Sequence, residues 1–174
     1  VSPNYNNNSK KETRMYDSIR PYNIAERRRI QKASALYETH LENILDLLSA
    51  RGISEETARY HHLGYIDNDP IPGHEDYIQC ITIPYMYPVW GRPAEIRKMR
   101  FRCSLPHDCK THNHPKYLTP AGDTGSIYNM AAMANPAAEI HICEGEFDSM
   151  ILEQCGWSAV ALPGATSWQT FWTK

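Results

Sequence analysis

The chain has 174 residues, 41% of them hydrophobic, which is enough to bury one modest core or two small lobes. Its formal net charge of −2 and pI near 6.5 exclude a globally basic surface, so any contact with nucleic acid needs a local basic patch. The five cysteines are odd in number, and neither a signal peptide nor an apolar run of bilayer length is evident, so we expect a cytoplasmic protein without a membrane partner.

The first part of the chain predicts a polar leader followed by helices. Residues 1–20 are rich in Asn, Ser and Lys and are expected to be disordered. From Ile24 onward, apolar residues recur at three- and four-residue intervals, which predicts one amphipathic helix ending near Gly52. Ser54 is a typical helix N-cap and predicts a second, short helix that ends before Gly64.

The middle of the chain predicts a pair of strands. Residues 77–84 and 96–103 have β-like patterns, and residues 88–93 between them predict a loop and turn. Because side chains alternate along a strand, Met99, Phe101 and Cys103 share one face of the second strand. The other face carries Lys98, Arg100 and Arg102. These three cations are either an ordinary solvated face or a surface that neutralises phosphates.

A run of zinc-type ligands follows the second strand. Five such residues fall within twelve positions: Cys103, His107, Cys109, His112 and His114. Thiolate and imidazole are preferred zinc ligands, but the run has no Cys-x-x-Cys pair and its spacing does not suggest two short chelating hooks. Cys103 is also assigned to the apolar face of a strand. The spacing therefore favours a polar connecting loop, and zinc is not expected.

The most informative stretch lies near the end of the chain, at residues 140–148. A short apolar run, typical of a buried strand, ends at three carboxylates around one glycine: Glu144, Glu146 and Asp148 around Gly145. The carboxylates would lie at the carboxyl end of the strand, and Asp148 would lie in the first turn of a helix. Oxygen ligands of this kind suit Mg²⁺ or Mn²⁺. An isolated tripeptide of this type is more often a solvated turn, so its context decides.

That context is a helix at residues 149–155, its stop at Gly156, and a second strand at residues 159–162. The order of strand, acidic turn, helix, strand and glycine turn resembles the first half of a TOPRIM domain. This is the catalytic module of DnaG-type primases, phage primase-helicases and several topoisomerases. Upstream, Pro115-Lys116-Tyr117-Leu118 and the arginine-bearing strand resemble the amino-terminal subdomain of the primase core. The helices around Arg51-Gly52 resemble the segment that leads into it.

The resemblance implies an α+β fold. The N-terminal helices would occupy residues 21–66, and a mixed or antiparallel β subdomain that binds template would occupy residues 67–136. An incomplete α/β TOPRIM unit, with the order β-α-β, would occupy residues 137–174. Family members also carry a further strand with an Asp-x-Asp motif, and a zinc-ribbon domain before the core; neither is found in this sequence.

The resemblance implies part of a DNA primase, which makes RNA primers on a single-stranded DNA template by Mg²⁺-dependent nucleotidyl transfer. Glu144 would hold or orient a metal, or act as general base, and Asp148 would complete the catalytic pair, with Glu146 as a less certain metal ligand. Template or nucleoside triphosphates would be held by basic residues: Lys98, Arg100, Arg102 and Lys116. Alternatively, the chain is a non-catalytic TOPRIM-derived module that binds single-stranded nucleic acid or a replication partner.

Without the Asp-x-Asp ligands, Mg²⁺ or Mn²⁺ binding should be weak and the isolated chain should make no primers. A complementing chain is therefore an expected partner, and a replicative helicase is a further candidate. If the protein is phage-encoded, its location would be the bacterial host cytoplasm. A topoisomerase or an OLD-type nuclease fits less well, because neither carries the Pro-Lys-Tyr-Leu subdomain.

Overall fold

The computed structural model describes residues 23–89, 91–120, 125–134 and 139–164, so the predicted leader lies outside the described residues. The α-helices are α1 (Ile24–Glu38), α2 (Leu45–Ser49), α3 (Glu55–Tyr60) and α4 (Glu146–Gln154). The strands are β1 (Gly64–Ile66), β2 (Cys80–Val89), β3 (Arg92–Cys103), β4 (Tyr117–Leu118), β5 (His141–Cys143) and β6 (Ala159–Ala161). Short 3₁₀ helices cover Leu41–Ile44, Glu75–Tyr77 and Met130–Ala134.

The strands form two sheets. β1 to β4 make an antiparallel sheet in chain order, with Arg102 of β3 opposite Ile81 of β2 and Tyr117 of β4. β5 and β6 make a parallel pair, with His141 opposite Ala159, and α4 connects them. The predicted α+β class, with N-terminal helices, an antiparallel sheet and a parallel two-stranded unit, is confirmed.

The single long helix predicted from Ile24 to Gly52 is wrong. α1 ends at Glu38, and the Thr39 hydroxyl donates to the Leu36 carbonyl at 2.6 Å. The reason is that the apolar positions serve two cores. Tyr37 packs in a cluster with β3, whereas Leu41 packs in a separate cluster against β2. A straight helix could not reach both, so the chain bends and continues as a 3₁₀ turn and α2.

The hairpin of β2 and β3 is longer than predicted. β2 continues through Pro84 and Pro88 to Val89, and β3 begins at Arg92, so the predicted loop at 88–93 shrinks to a turn at Gly91 with φ of 68°. Proline lacks the N–H that a central strand needs. Pro84 is tolerated because β1 pairs with Cys80 to Thr82 of β2 and does not extend as far as Pro84. Among the described residues, no strand lies on that side of β2 at Pro84.

The antiparallel sheet separates the two cores. One face carries Met99 and Phe101, packed against Ala33 and Tyr37 of α1. The other face carries Ile81, Ile83 and Tyr85 of β2 together with the cations of β3, and packs toward the parallel unit. The predicted division of β3 into an apolar and a basic face is therefore confirmed.

The parallel unit is held against the rest of the chain by backbone and side-chain bonds. Tyr128 N–H donates to the Ala161 carbonyl at 2.8 Å, beside β6. The Gln154 side chain, at the end of α4, accepts from Ser54 N–H at 2.8 Å and from the Thr57 hydroxyl at 2.9 Å. These contacts hold the C-terminal end of α4 and the strand β6 against the rest of the chain. Among the described residues, no helix is both long and apolar enough to span a bilayer.

Candidate nucleic-acid interface and acidic turn

The acidic turn, defined as Glu144, Glu146 and Asp148, lies at the carboxyl end of β5, directly beside the parallel strand β6. Gly145 is the N-cap of α4, so Asp148 falls in the first helical turn as predicted. A Cβ on Gly145 would come within 3.0 Å of Asp148 Oδ2. The glycine therefore lets the Asp148 carboxylate lie close to the turn.

The three carboxylates face different surroundings. Glu144 and Asp148 are exposed to solvent, whereas Glu146 is 1% exposed. Burial, together with the nearby Asp148 carboxylate, raises the pKa of the Cys143 thiol, which indicates that Asp148 lies near the end of β5. Two accessible carboxylates with oxygen donors fit a hard divalent cation in chemistry.

Glu146 joins α4 to the β2–β3 hairpin. Its Oε1 accepts from the Tyr85 hydroxyl at 2.6 Å and from Arg100 Nη1 at 2.7 Å. Burial raises the pKa of Tyr85 and the Glu146 carboxylate raises it further, so this phenol stays a donor. Desolvation by itself would lower the pKa of Arg100, but the Glu146 carboxylate stabilises the charged guanidinium and the pKa is raised. A residue predicted to bind metal and a residue predicted to bind phosphate are thus bound to each other.

Arg102 is also engaged inside the protein. Its guanidinium lies 4.4 Å from the centre of the Phe147 ring, and its Nη1 donates to the Tyr117 hydroxyl at 2.9 Å. Desolvation lowers the pKa of Arg102, but a guanidinium remains charged at neutral pH. The Arg100 guanidinium lies on the Tyr117 ring at 4.6 Å. Tyr117, from the Pro-Lys-Tyr-Leu motif, therefore contacts both arginines.

The two predicted lysines differ. Lys98 is 5% exposed and its Nζ lies 5.5 Å from the centre of the Tyr85 ring. Lys116 is exposed. The basic face of β3 thus forms a charged layer between the hairpin and α4 and is not the ordinary solvated face that the sequence also allowed. The phosphate-binding role of its cations stays a prediction.

Solvent-accessible positive charge collects beside this layer, in a cleft of about 660 Å³. The basic cleft, as we call it, is lined by four cations: Arg51, Arg102, Lys110 and Lys116. The sequence analysis missed Arg51 and Lys110. Arg51 follows α2, with Gly52 next at φ of 81°, and its guanidinium lies 5.9 Å from the centre of the Phe147 ring. No local pattern reveals that contact, because Phe147 is remote in sequence.

A wall of the cleft is formed by Cys103, His107, Cys109 and His114, here named the Cys/His cluster. One possible ligand atom from each lies within 4.8 Å of all the others. The expectation that zinc is absent is therefore not supported. The sequence argument failed because Cys103 ends its strand, where its thiol can turn toward the loop, and because the loop folds the two Cys–His pairs onto each other.

The fold has known counterparts among solved structures. It superposes on the zinc-binding and RNA polymerase domains of the Aquifex aeolicus primase with a TM-score of 0.62 and 18% identity, over 80% of this chain and 42% of that chain. A DNA primase domain from Pseudomonas aeruginosa gives 0.60 and 19%, over 82% and 55% of the two chains. A DnaG primase catalytic domain bound to ssDNA gives 0.59 and 16%, over 83% and 56%.

This chain has the fold of DnaG primase domains. In sequence, it is 34% identical over 93 residues to the "Gene 57 protein" of Mycobacterium phage D29, which covers 53% of this chain and 57% of the phage protein. No protein-family model matches the chain. The chain spans about half the length of the proteins it resembles, 57% of the phage protein and 42% of the Aquifex chain. The roles assigned to individual residues remain predictions.

Proposed function

We propose that this chain is part of a DNA primase that makes RNA primers on a single-stranded DNA template. The observation that carries the proposal is the DnaG-type fold, in which Phe147, beside the acidic turn, contacts Arg51 and Arg102 of the basic cleft. Residues 67–136 would form the template-binding subdomain. Residues 137–174 would supply the first half of a TOPRIM unit.

Glu144 and Asp148 would hold Mg²⁺ or Mn²⁺, since both are accessible and lie around a turn that has no Cβ in the way. The bound cation would neutralise charge on the phosphates during nucleotidyl transfer. Glu144 would orient that ion or take the proton from the attacking 3′-hydroxyl. Glu146 would act by holding Arg100 in place, and it would contribute a metal ligand only through an oxygen that Arg100 and Tyr85 do not already use.

The cations of the basic cleft would bind template or nucleotide phosphates. Lys116 is the strongest candidate, because it is exposed and belongs to the Pro-Lys-Tyr-Leu motif. Arg102 would contribute charge from the cleft wall, whereas Lys98 and Arg100 would act mainly as internal supports. In this assignment the phosphate contacts are made mainly by exposed residues of the basic cleft, and less by the basic face of β3.

The remaining metal ligands would come from a segment outside these residues or from a second polypeptide. Within the described residues, β5 pairs with β6 alone, and Ile142 of β5 is 57% exposed. An open strand edge with an exposed isoleucine is suited to accept a further strand. A replicative helicase stays a candidate partner of the assembled enzyme.

The test is primer synthesis on a single-stranded template with ribonucleoside triphosphates and Mg²⁺. The chain alone should make no primers. The chain combined with the polypeptide encoded directly after Lys174, in the same or a shifted frame, should make them. Glu144→Gln should reduce synthesis at least about 100-fold, as expected for the loss of a catalytic group, while binding of single-stranded DNA is retained. Full activity of Glu144→Gln would contradict the proposal.

The second candidate is a non-catalytic module that binds single-stranded nucleic acid, and the basic cleft favours it. In that case Lys116→Gln would weaken binding of single-stranded nucleic acid, which is also the expectation for a primase. No combination of this chain with a second polypeptide would make primers. Glu144→Gln would then have no effect in any assay. The effect of Glu144→Gln therefore distinguishes the two candidate functions, whereas substitutions in the basic cleft do not.

A further inference from the structure

We propose that the Cys/His cluster is a structural zinc site, in which Cys103, His107, Cys109 and His114 bind one Zn²⁺. The site is in the loop between β3 and β4, inside the domain that carries the primase-like fold. Its role would be to fix the loop that presents Lys110 and Lys116 to the basic cleft. This inference stands apart from the proposed primer synthesis.

The donor atoms are close enough for one ion. A tetrahedral zinc ion with bonds of about 2.3 Å to sulfur and about 2.0 Å to nitrogen needs donors roughly 3.3 to 3.8 Å apart. Cys103 Sγ lies 3.6 Å from His107 Nε2, and His107 Nε2 lies 2.8 Å from His114 Nε2. With all four donors within 4.8 Å of one another, small rotations of the side chains would reach the required geometry.

The backbone supplies two chelating hooks, the feature that the sequence did not reveal. The first hook is Cys103-x-x-x-His107, which begins where β3 ends. The second runs from Cys109 to His114, and its ends meet because His114 N–H donates to the Cys109 carbonyl at 3.0 Å. Asn113, with φ of 56°, makes the turn that returns the chain. Cys103 N–H donates to the Lys116 carbonyl at 3.0 Å and closes the base of the loop.

The orientation of His114 also suits a metal. Its Nδ1 lies 3.1 Å from the Pro115 carbonyl, which can only accept a hydrogen bond, so Nδ1 carries the proton. The lone pair of Nε2 then points into the cluster. A backbone carbonyl that fixes the tautomer in this way is characteristic of histidines that bind zinc. The neighbouring His112 is exposed and stacks on His107 at 4.2 Å, outside the set of four donors.

The two cysteines and two histidines form a softer donor set than the acidic turn. Thiolate and imidazole favour Zn²⁺, whereas Mg²⁺ prefers carboxylate oxygens. Cys109 is buried and Cys103 is partly buried, so their thiols are shielded from solvent. A closed site with four protein ligands leaves no open position for substrate, which is why the role is structural.

The experiment measures metal in protein purified without a histidine tag. We expect one Zn²⁺ per chain, and tetrahedral cobalt absorption with thiolate charge-transfer bands after Co²⁺ replacement. Cys103→Ser and Cys109→Ser should lose the charge-transfer intensity and bind Zn²⁺ at least about 100-fold more weakly. Cys155→Ser is the matched control, because Cys155 is an exposed thiol after α4, and His112→Gln is the histidine control. Both should keep the metal.

A second measurement applies where a variant does not fold. Wild-type protein is digested with trypsin before and after EDTA treatment. Lys110 is exposed within the second hook, so cleavage there should accelerate on chelation and slow again when Zn²⁺ is returned. Cleavage at Lys32 in α1 should not change. The inference is overturned if the wild-type protein neither retains nor takes up Zn²⁺. It is also overturned if the control variants lose as much metal as Cys103→Ser and Cys109→Ser, or if Cys103 and Cys109 form a disulfide.

Discussion

The pair of Glu146 and Arg100 connects two parts of the chain through a single carboxylate oxygen. Glu146 is 1% exposed, and the side chain of Arg100 is 15% exposed. Buried charges of this kind contribute less to stability than their distance suggests, because both have lost their hydration. Removing one of the two charges destabilises the protein strongly, because the other charge is left buried without an opposite charge beside it.

Arg100→Met should therefore lower the free energy of unfolding by about 3 kcal/mol. Adding Glu146→Gln should recover part of this loss, because no uncompensated charge then remains. Urea denaturation of the two single variants and the double variant gives the coupling energy. Arg59→Met is the control, since it breaks exposed pairs with Glu42 and Glu55 and should cost much less than Arg100→Met. Strict additivity in the Arg100 and Glu146 cycle would contradict this account.

His74 makes stability depend on pH. Its Nδ1 lies 3.0 Å from the Tyr37 hydroxyl, which itself accepts from Ile71 N–H at 3.1 Å. The Tyr37 hydroxyl hydrogen is then free to bond Nδ1, which requires the neutral imidazole. Burial lowers the pKa of His74 from 6.5, and the charge of Arg29 lowers it further, so the folded state binds this proton less readily than the unfolded chain.

Stability should accordingly be highest above pH 6.5 and should decrease as the pH falls from 6.5 toward the lower pKa of His74 in the folded state. We expect the His74 contribution to this loss to be about 1 kcal/mol, the size of one hydrogen bond. Urea denaturation at several values between about pH 5 and about pH 7.5 measures it. His74→Gln cannot be protonated and should show a flatter profile. Parallel profiles for both proteins would rule His74 out.

Among the secondary-structure elements, β1 approaches the backbone of α1 closely at Gly64. A Cβ on Gly64 of β1 would lie 2.4 Å from the backbone carbon of Tyr37 and 2.6 Å from its carbonyl oxygen. These atoms belong to the helix backbone and cannot rotate away. Gly64 therefore allows the strand to pass close to the end of α1.

Gly64→Ala should destabilise the protein by about 3 kcal/mol or more, because either α1 or β1 has to move. Gly156→Ala is the matched control. It has φ of 89° but nothing within 4 Å of its Cβ, so only backbone strain of about 1 kcal/mol applies. Thermal unfolding of both variants compares them. An equal effect of the two substitutions would show that the close approach of β1 to α1 is relaxed in solution.

Across the whole molecule, positive charge is distributed unevenly despite the net charge of −2. Lys98, Arg100 and Arg102 of β3 lie in the layer between the hairpin and α4. The basic cleft presents Arg51, Lys110 and Lys116 to solvent. α1 packs on the opposite face of the antiparallel sheet and carries a second exposed basic group, Arg28, Arg29 and Lys32. We expect phosphate binding to depend on the cleft and not on α1, because Arg51 and Arg102 of the cleft contact Phe147 beside the acidic turn.

Lys116→Gln and Arg51→Gln should each weaken binding of a single-stranded oligonucleotide and reduce the slope of log affinity against log salt by about one. Fluorescence anisotropy at several salt concentrations measures both quantities. Lys32→Gln should leave the slope unchanged. If Lys98→Met, at a buried position of β3, reduced the slope as much as Lys116→Gln without loss of stability, the cleft would not be the binding surface.

Some of these features follow from local periodicity. The alternation in β3 correctly assigned Phe101 and Arg102 to opposite faces, because a strand in any sheet has a period of two. Ser54 predicted the start of α3, and its hydroxyl indeed accepts from Thr57 N–H at 3.2 Å. The glycine stop at Gly156 was predicted in the same way. These signals depend on neighbouring residues alone. The β-α-β order of β5, α4 and β6, in contrast, was implied by the family resemblance.

What the amino-acid sequence determined by itself is the pair of strands β2 and β3, the two faces of β3 and the position of the acidic turn after β5, since each depends on spacing along a short segment. Tertiary structure alone decided three other features: the bend after Glu38, the pairing of Glu146 with Arg100, and the convergence of the Cys/His cluster. The physical reason is that each of these depends on which distant groups share a buried volume, and desolvation and close packing in that volume are not recorded in local periodicity.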